Sequence, residues 1–162
     1  MLIISPLSNL PSGSKSASAN NTVTAVFDYN LLQPVKLTDP NNNNSEVLLD
    51  QLGMVIVTTF YEKNGGISNS GDMTDLESNY TIQPNPSIAD IVNASNMPNY
   101  IQNATSFFYY DLEAWLDRNE PVQFVQVTRE RHASDPVAGR YQISLGYSDG
   151  FGRQIQSKLK VE

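Results

Sequence analysis

The chain has no cysteine, a single histidine and a single tryptophan among its 162 residues. Without cysteine there is no disulfide, no thiolate metal ligand and no Cys–His nucleophile pair. The compartment stays open, because a cytosolic protein and a secreted one that relies on packing both fit. Basic residues are scarce too: 10 Lys and Arg stand against 17 Asp and Glu, for a formal charge of −7 and an isoelectric point near 4.6. Binding to nucleic acid or an anionic membrane needs clustered Lys and Arg. The densest basic positions, Arg129 with Arg131 and Lys158 with Lys160, instead alternate as the outer positions of strands do. No apolar run is long enough to span a bilayer, and residues 1–10 are too short and lack the basic start of a secretion signal, so the sequence reads as soluble. Gly-x-Ser-x-Gly, a phosphate-binding Gly-Lys loop and His-Glu-x-x-His are all missing.

What is present is a turn that occurs twice, Asp50-Gln51-Leu52-Gly53 and Asp149-Gly150-Phe151-Gly152. An Asp that accepts from backbone N–H groups further on, with a Gly three places later to supply positive φ, makes a hairpin corner. Strand-like runs flank both copies. The spacing predicts strands over 22–29, 31–38, 46–49, 54–61, 104–110, 122–131, 141–147 and 153–161, and the run 54–61, the most apolar of the chain, predicts a strand buried on both faces. Residues 1–21 read as a flexible leader, small and polar from Pro11 on. A loop-rich excursion is expected over 64–86, where Gly65, Gly66, Pro84 and Pro86 disfavour a central strand. Short helices are expected over 88–93, from Met97, and over 111–118, where Leu112, Trp115 and Leu116 share a helical face that should cover the sheet. The fold class is mainly β: an antiparallel sheet carrying one or two short inserted helices, in a single domain over 22–162.

Several residue groups invite a chemical reading. Asp39, Asn41, Asn43, Ser45 and Asp50 occupy positions one, three, five, seven and twelve of a calcium-loop pattern, but Asn44 replaces the bend glycine and strands flank it, which favours an Asn-rich corner. His132 lies close in sequence to Ser134 and Asp135, yet triads assemble in space, so a loop histidine is the better reading. Asp111, Glu113 and Asp117 suit a solvated helix face better than a glycosidase pair. The rings of Phe107, Phe108, Tyr109, Tyr110 and Trp115 favour packing, with Trp115, Tyr109 and Tyr110 as a carbohydrate platform in the alternative. The sequons at Asn79 and Asn103 would matter only in a eukaryotic secretory route.

The motifs also come in a particular order. Asp28-Tyr29 with Leu32-Gln33-Pro34, Thr38-Asp39-Pro40-Asn41, Asp50-Gln51-Leu52-Gly53-Met54-Val55, Tyr110-Asp111-Leu112, Glu120-Pro121, Thr128-Arg129-Glu130 with His132, and Tyr147-Ser148-Asp149-Gly150-Phe151-Gly152-Arg153 with Gln156 follow one another over more than a hundred residues. This run resembles the B component of bacterial insecticidal toxin complexes (Tc toxins), proteins related to the RHS and YD repeats, in the stretch that follows their β-propeller. The family proteins are many times longer, and the corner at Asn42, Asn43 and Asn44 lacks the glycine usual there.

The resemblance implies an RHS/YD-repeat-like β-sheet and a structural, non-enzymatic virulence role without a cofactor. It implies a wall segment of a secreted shell that encloses a toxic polypeptide, with the rest of the B component and the C component as direct partners and the A component as an indirect one. The chain is then expected to be an excised fragment or an unusually short reading frame, with neither nucleic-acid binding nor membrane insertion, able to self-associate through an exposed edge at 153–161. A secreted carbohydrate- or ligand-binding module, using the 65–86 loop and the aromatic group, is the alternative from another class.

Overall fold

The computed structural model describes residues 2–4, 22–64, 68–137, 139–149, 151 and 153–161. These form one antiparallel ten-stranded sheet. Its strands are β1 (Leu2–Ile4), β2 (Val23–Asp28), β3 (Gln33–Thr38), β4 (Asn43–Leu49), β5 (Val55–Asn64), β6 (Ser68–Gly71), β7 (Ser106–Asp111), β8 (Val122–Arg129), β9 (Tyr141–Ser148) and β10 (Gln154–Val161). Each strand pairs with its chain neighbour except where β5 divides its edge, with Tyr61 to Asn64 against β6 and Val57 and Thr58 against β7. Between β6 and β7 the chain makes helices α1 (Leu76–Asn79), α2 (Ile88–Ile91) and α3 (Met97–Ile101), and α4 (Ala114–Arg118) lies between β7 and β8.

Side chains alternate across a strand, so the register sorts residues into two faces. One row runs Leu48, Val57, Phe107, Val127, Ile143 and Lys160, and the next runs Tyr109, Val125, Leu145 and Lys158. Helices α1 to α3 cover the middle of this face: Leu76, Tyr80, Ile91, Met97, Tyr100 and Ile101 join Val57, Phe107, Val125, Val127 and Ile143 in one buried cluster. Tyr100 meets Phe107 with ring centroids 5.7 Å apart. Helix α2 starts where Ser87 Oγ accepts from Asp90 N–H, and α3 carries Pro98 in its first turn, where a missing N–H costs nothing.

Among the described residues, the helices that join the buried cluster do so on this first face, and the opposite face has no such cover. Its rows are Val47, Thr58, Ser106, Thr128 and Gln142; Phe108, Gln126, Ser144 and Leu159; and Tyr110, Phe124, Gly146 and Ser157. None of these positions carries a charge. Phe124 lies over Gly146, where a Cβ would come within 2.0 Å of the ring, so the glycine makes room for the aromatic side chain.

The mainly β class is as expected, with differences of detail. β5 is buried on one face only: Val57 and Thr59 are fully buried whereas Phe60 is 48% exposed, because only one side of the sheet receives helices. Leu2–Ile4 pairs with β2, against the expectation of a leader without regular structure; 5–21 lie outside the described residues. Within the expected excursion, Ser68–Gly71 forms a strand and Leu76–Asn79 a helix, so the described residues hold four short helices rather than one or two. Leu31 and Leu32 belong to a turn, and Asp111 ends β7 rather than starting a helix. Trp115 and Leu116 do not cover the sheet; they are 61% and 82% exposed, and α4 buries only Ala114.

Candidate functional site

His132 meets a carboxylate other than the neighbouring one. Its Nδ1 lies 3.3 Å from Oδ2 of Asp72, whose side chain is buried. Asp72 also accepts from the Thr105 hydroxyl and, at 2.6 Å, from Ala133 N–H. Ser134 Oγ accepts from Gly71 N–H at 3.1 Å, and Asp135 touches His132 only through its backbone N–H, 3.1 Å from the His132 carbonyl. The group is a clasp that fastens the β8–β9 connection to the end of β6. Ser134 is engaged with backbone, and the carboxylate already accepts from the Thr105 hydroxyl and the Ala133 N–H, so the arrangement positions no nucleophile against a base.

The five calcium-pattern residues do not converge. Asp39 and Asn41 lie in the β3–β4 turn, Asn43 and Ser45 in β4, and Asp50 in the turn beyond its far end, a seven-residue strand away. Among the described residues no cluster of three or more His, Cys, Asp or Glu is arranged to hold a metal. The aspartates instead build one corner three times. Asp39 Oδ1 accepts from Asn41 and Asn43 N–H, Asp50 Oδ1 from Leu52 and Met54 N–H, and Asp149 Oδ1 from Phe151 and Arg153 N–H, all between 2.8 and 3.0 Å. Gly53 supplies φ +79° in the second corner, and Asn42 supplies φ 65° in the first, so asparagine does there what glycine does elsewhere. Gly150 and Gly152 of the third lie outside the described residues. Bonds from Asn43, led by its side-chain amide, hold the Asp39 carboxyl below its ordinary value, and the Arg153 backbone N–H foremost does the same for Asp149.

The platform residues are dispersed. Tyr109 and Tyr110 are consecutive in β7 and face opposite sides; Tyr109 packs against the core and Tyr110 against Phe124, with ring centroids 6.5 Å apart. Trp115 projects from α4. Asp111, at the end of β7 with its side chain 14% exposed, pairs with Arg118, which also reaches Glu120 at 3.2 Å, while Glu113 and Asp117 are exposed at the solvated ends of α4.

A group that the sequence did not single out ties the sheet to α1. Glu46 is 6% exposed; its Oε1 lies 2.5 Å from Lys36 Nζ and accepts from the Tyr61 hydroxyl, and its Oε2 accepts from Leu76 N–H at 3.2 Å. Burial alone would lower the Lys36 ammonium, but its bonds to Glu46 and Tyr61 outweigh that and the net shift is upward. Lys36, Glu46 and Tyr61 lie on neighbouring strands of one face, a pairing visible only once the register is known.

The surfaces left open are therefore more distinctive than any cluster. Both faces of β10 are exposed from Gln154 to Lys160, and among the described residues no strand pairs with its outer edge. The arrangement has a counterpart among solved structures: TcdB2-TccC3 matches 87% of this chain with a TM-score of 0.69 at 25% identity. The fold is related to a Tc toxin complex. TcdB2-TccC3-TEV gives a TM-score of 0.68 at 21% identity over 87% of this chain, and TcdB2-TccC3 without its hypervariable C-terminal region gives 0.66 at 21% over 86%. The chain spans 6% of the first structure's length and 9% of the other two. No family model matches it, and no curated protein is similar to it in sequence.

Proposed function

We propose that this chain is a wall segment of a toxin-complex B component, contributing to an RHS-type β-shell that encloses and helps deliver a toxic polypeptide. It is a scaffold rather than a catalyst. The observation that carries this reading is the neighbour-to-neighbour antiparallel sheet, open along β10, together with its match to TcdB2-TccC3 over most of the chain. A wall built by strand addition needs edges whose backbone N–H and C=O groups await a neighbour, and β10 offers such an edge. The rest of the B component would continue the sheet, the C component would close it, the A component would be met indirectly, and the whole would act outside the producing cell. No cofactor enters this role.

The test is a graft. The chain replaces the matching stretch of TcdB2, the hybrid is assembled with TccC3, and the protease resistance of the hypervariable C-terminal region is measured. Protection equal to that in the parent complex is the expected result. A hybrid that folds and assembles, yet leaves that region as digestible as it is outside the complex, would overturn the proposal.

A further inference from the structure

The two ends of the strands differ. The β2–β3 turn, the β4–β5 turn, the β7–β8 connection and the β9–β10 turn all lie at one end, as an antiparallel order requires. They follow one another along the sheet: Gly53 sits against Gln33 and Leu31, Leu52 and Asp50 line a cleft with Leu112 and Glu113, and Val122, just past the β7–β8 connection, pairs with Ser148, just before the β9–β10 turn. Each carries large apolar side chains in water: Tyr29 and Leu32 are both 78% exposed, Leu52 72%, Leu116 82% and Phe151 88%. At the other end the β3–β4 turn is Asp39-Pro40-Asn41-Asn42, and the β8–β9 connection has one exposed large apolar residue, Val137.

Local structure asks little of the apolar tips: Phe151 takes the Arg153 guanidinium over its ring, 5.8 Å from the centroid, and the Leu52 side chain has no part in closing its corner. The corners are made by aspartate carboxylates and backbone N–H groups, and they would close with polar residues in place of Leu52 and Phe151, as the Asp39 corner does with Asn41. Large apolar side chains exposed together at one end of a sheet mark a contact site. Its charge indicates what kind. The only cations of this rim are Arg118 and Arg153, already paired with Asp111 and Glu120 and with Asp149, which leaves Asp28, Asp50, Glu113 and Asp117 as net negative charge.

We propose that this turn rim is an interaction surface for a cationic amphipathic polypeptide, whose apolar side chains cover the turn tips and whose Lys and Arg residues meet the carboxylates between them. The rim's acidity disfavours an anionic membrane, and its spread over four connections suits an extended or helical segment lying across them.

Trp115, the chain's single tryptophan, lies on the rim and reports the contact. The intact chain is titrated with a helical Leu/Lys repeat peptide and, separately, with a Leu/Glu peptide of equal length. The expected result is a saturable blue shift of Trp115 emission with the Leu/Lys peptide alone, weakened about tenfold between low and roughly 0.5 M salt as exposed charges are screened. The triple variant Leu52→Ser, Leu116→Ser, Phe151→Ser keeps the reporter and should bind at least about tenfold more weakly, a loss on the scale of removing several interface anchors. The pair Glu113→Lys, Asp117→Lys keeps the apolar tips and should lose the preference for Lys over Glu. No saturable shift, equal binding of the two peptides, full binding by the folded triple variant, or a shift produced instead by phosphatidylcholine vesicles would each overturn the proposal.

Discussion

The middle of the sheet and its β10 flank share one hydrogen-bonded ladder but not one core. In the middle, Val57, Phe107, Val127 and Ile143 are at most 5% exposed beneath Ile91, Met97 and Ile101. That row runs on to Lys160 in β10, and the neighbouring Val125–Leu145 row to Lys158, where among the described residues no helix follows; Ile155 of the same strand is 60% exposed and Leu159, on the opposite face, 68%. Sheet hydrogen bonding can therefore extend past the apolar burial that stabilises it, and among the described residues β9 is the one strand that pairs with the flank. A strand in that condition is stabilised by whatever covers it next.

The largest predicted effect tests that contrast directly. Ile101→Ala removes a fully buried side chain from the sheet-facing side of α3 and should lower unfolding free energy by about 3–4 kcal/mol, while Leu159→Ala should change it by no more than about 0.5 kcal/mol. Urea titration of both variants is the measurement, and similar costs at the two positions would end the distinction.

Next in size is the Glu46 group, which joins the middle of the sheet to α1. Glu46→Ala leaves Lys36, the Tyr61 hydroxyl and Leu76 N–H without their shared acceptor. Breaking a buried pair costs about 3–5 kcal/mol, and the Lys36 side chain is 37% exposed, so about 2–3 kcal/mol is expected. The sign with pH follows from the raised Lys36 value: its contribution is complete below the ordinary lysine range and is lost as pH climbs through the higher folded value. A Tm difference between wild type and Glu46→Ala that fails to narrow above that range would contradict this. Smaller again is Gly146→Ala, whose Cβ would press on the Phe124 ring at 2.0 Å; about 1–3 kcal/mol of overpacking is expected, partly relieved by adding Phe124→Leu.

Much of this architecture was legible because strands and corners are local. The aspartate corners at 50 and 149 could be read from residue type and spacing, since each closes on its own backbone. The corner at 39 was harder, because Asn42 with φ 65° stands where a glycine was expected, and an unbroken Asn run resembles a ligand loop. What could not be read depends on distant partners. Asp72 is matched with His132, Thr105 and Ala133 across more than thirty residues of chain, and Glu46 with Tyr61 through strand register. Trp115 misled for the opposite reason: its helical spacing with Leu112 and Leu116 is real, but α4 turns that stripe outward. Periodicity identifies an apolar face without saying whether the fold gives it anything to cover.

The smallest predicted effect compares two copies of one corner in different settings. Asp39 closes β3 onto β4, which the Glu46 group anchors to α1, whereas Asp149 closes β9 onto the bare β10. Both carboxyls lie below their ordinary value in the fold, so each contributes stability that is complete above the ordinary aspartate range and is lost as pH falls through the lower folded value. Amide shifts of Asn41 and Asn43, and of Phe151 and Arg153, followed by NMR on acidification should therefore move with midpoints under that of a free aspartate. Asp149→Asn should abolish the second transition and leave the first untouched. Because only one corner has a packed strand behind it, β10 amides should lose protection at a higher pH than those of β4. Midpoints at the ordinary value would remove the role assigned to the backbone donors, and simultaneous loss in β4 and β10 would show that the flank is held as firmly as the middle.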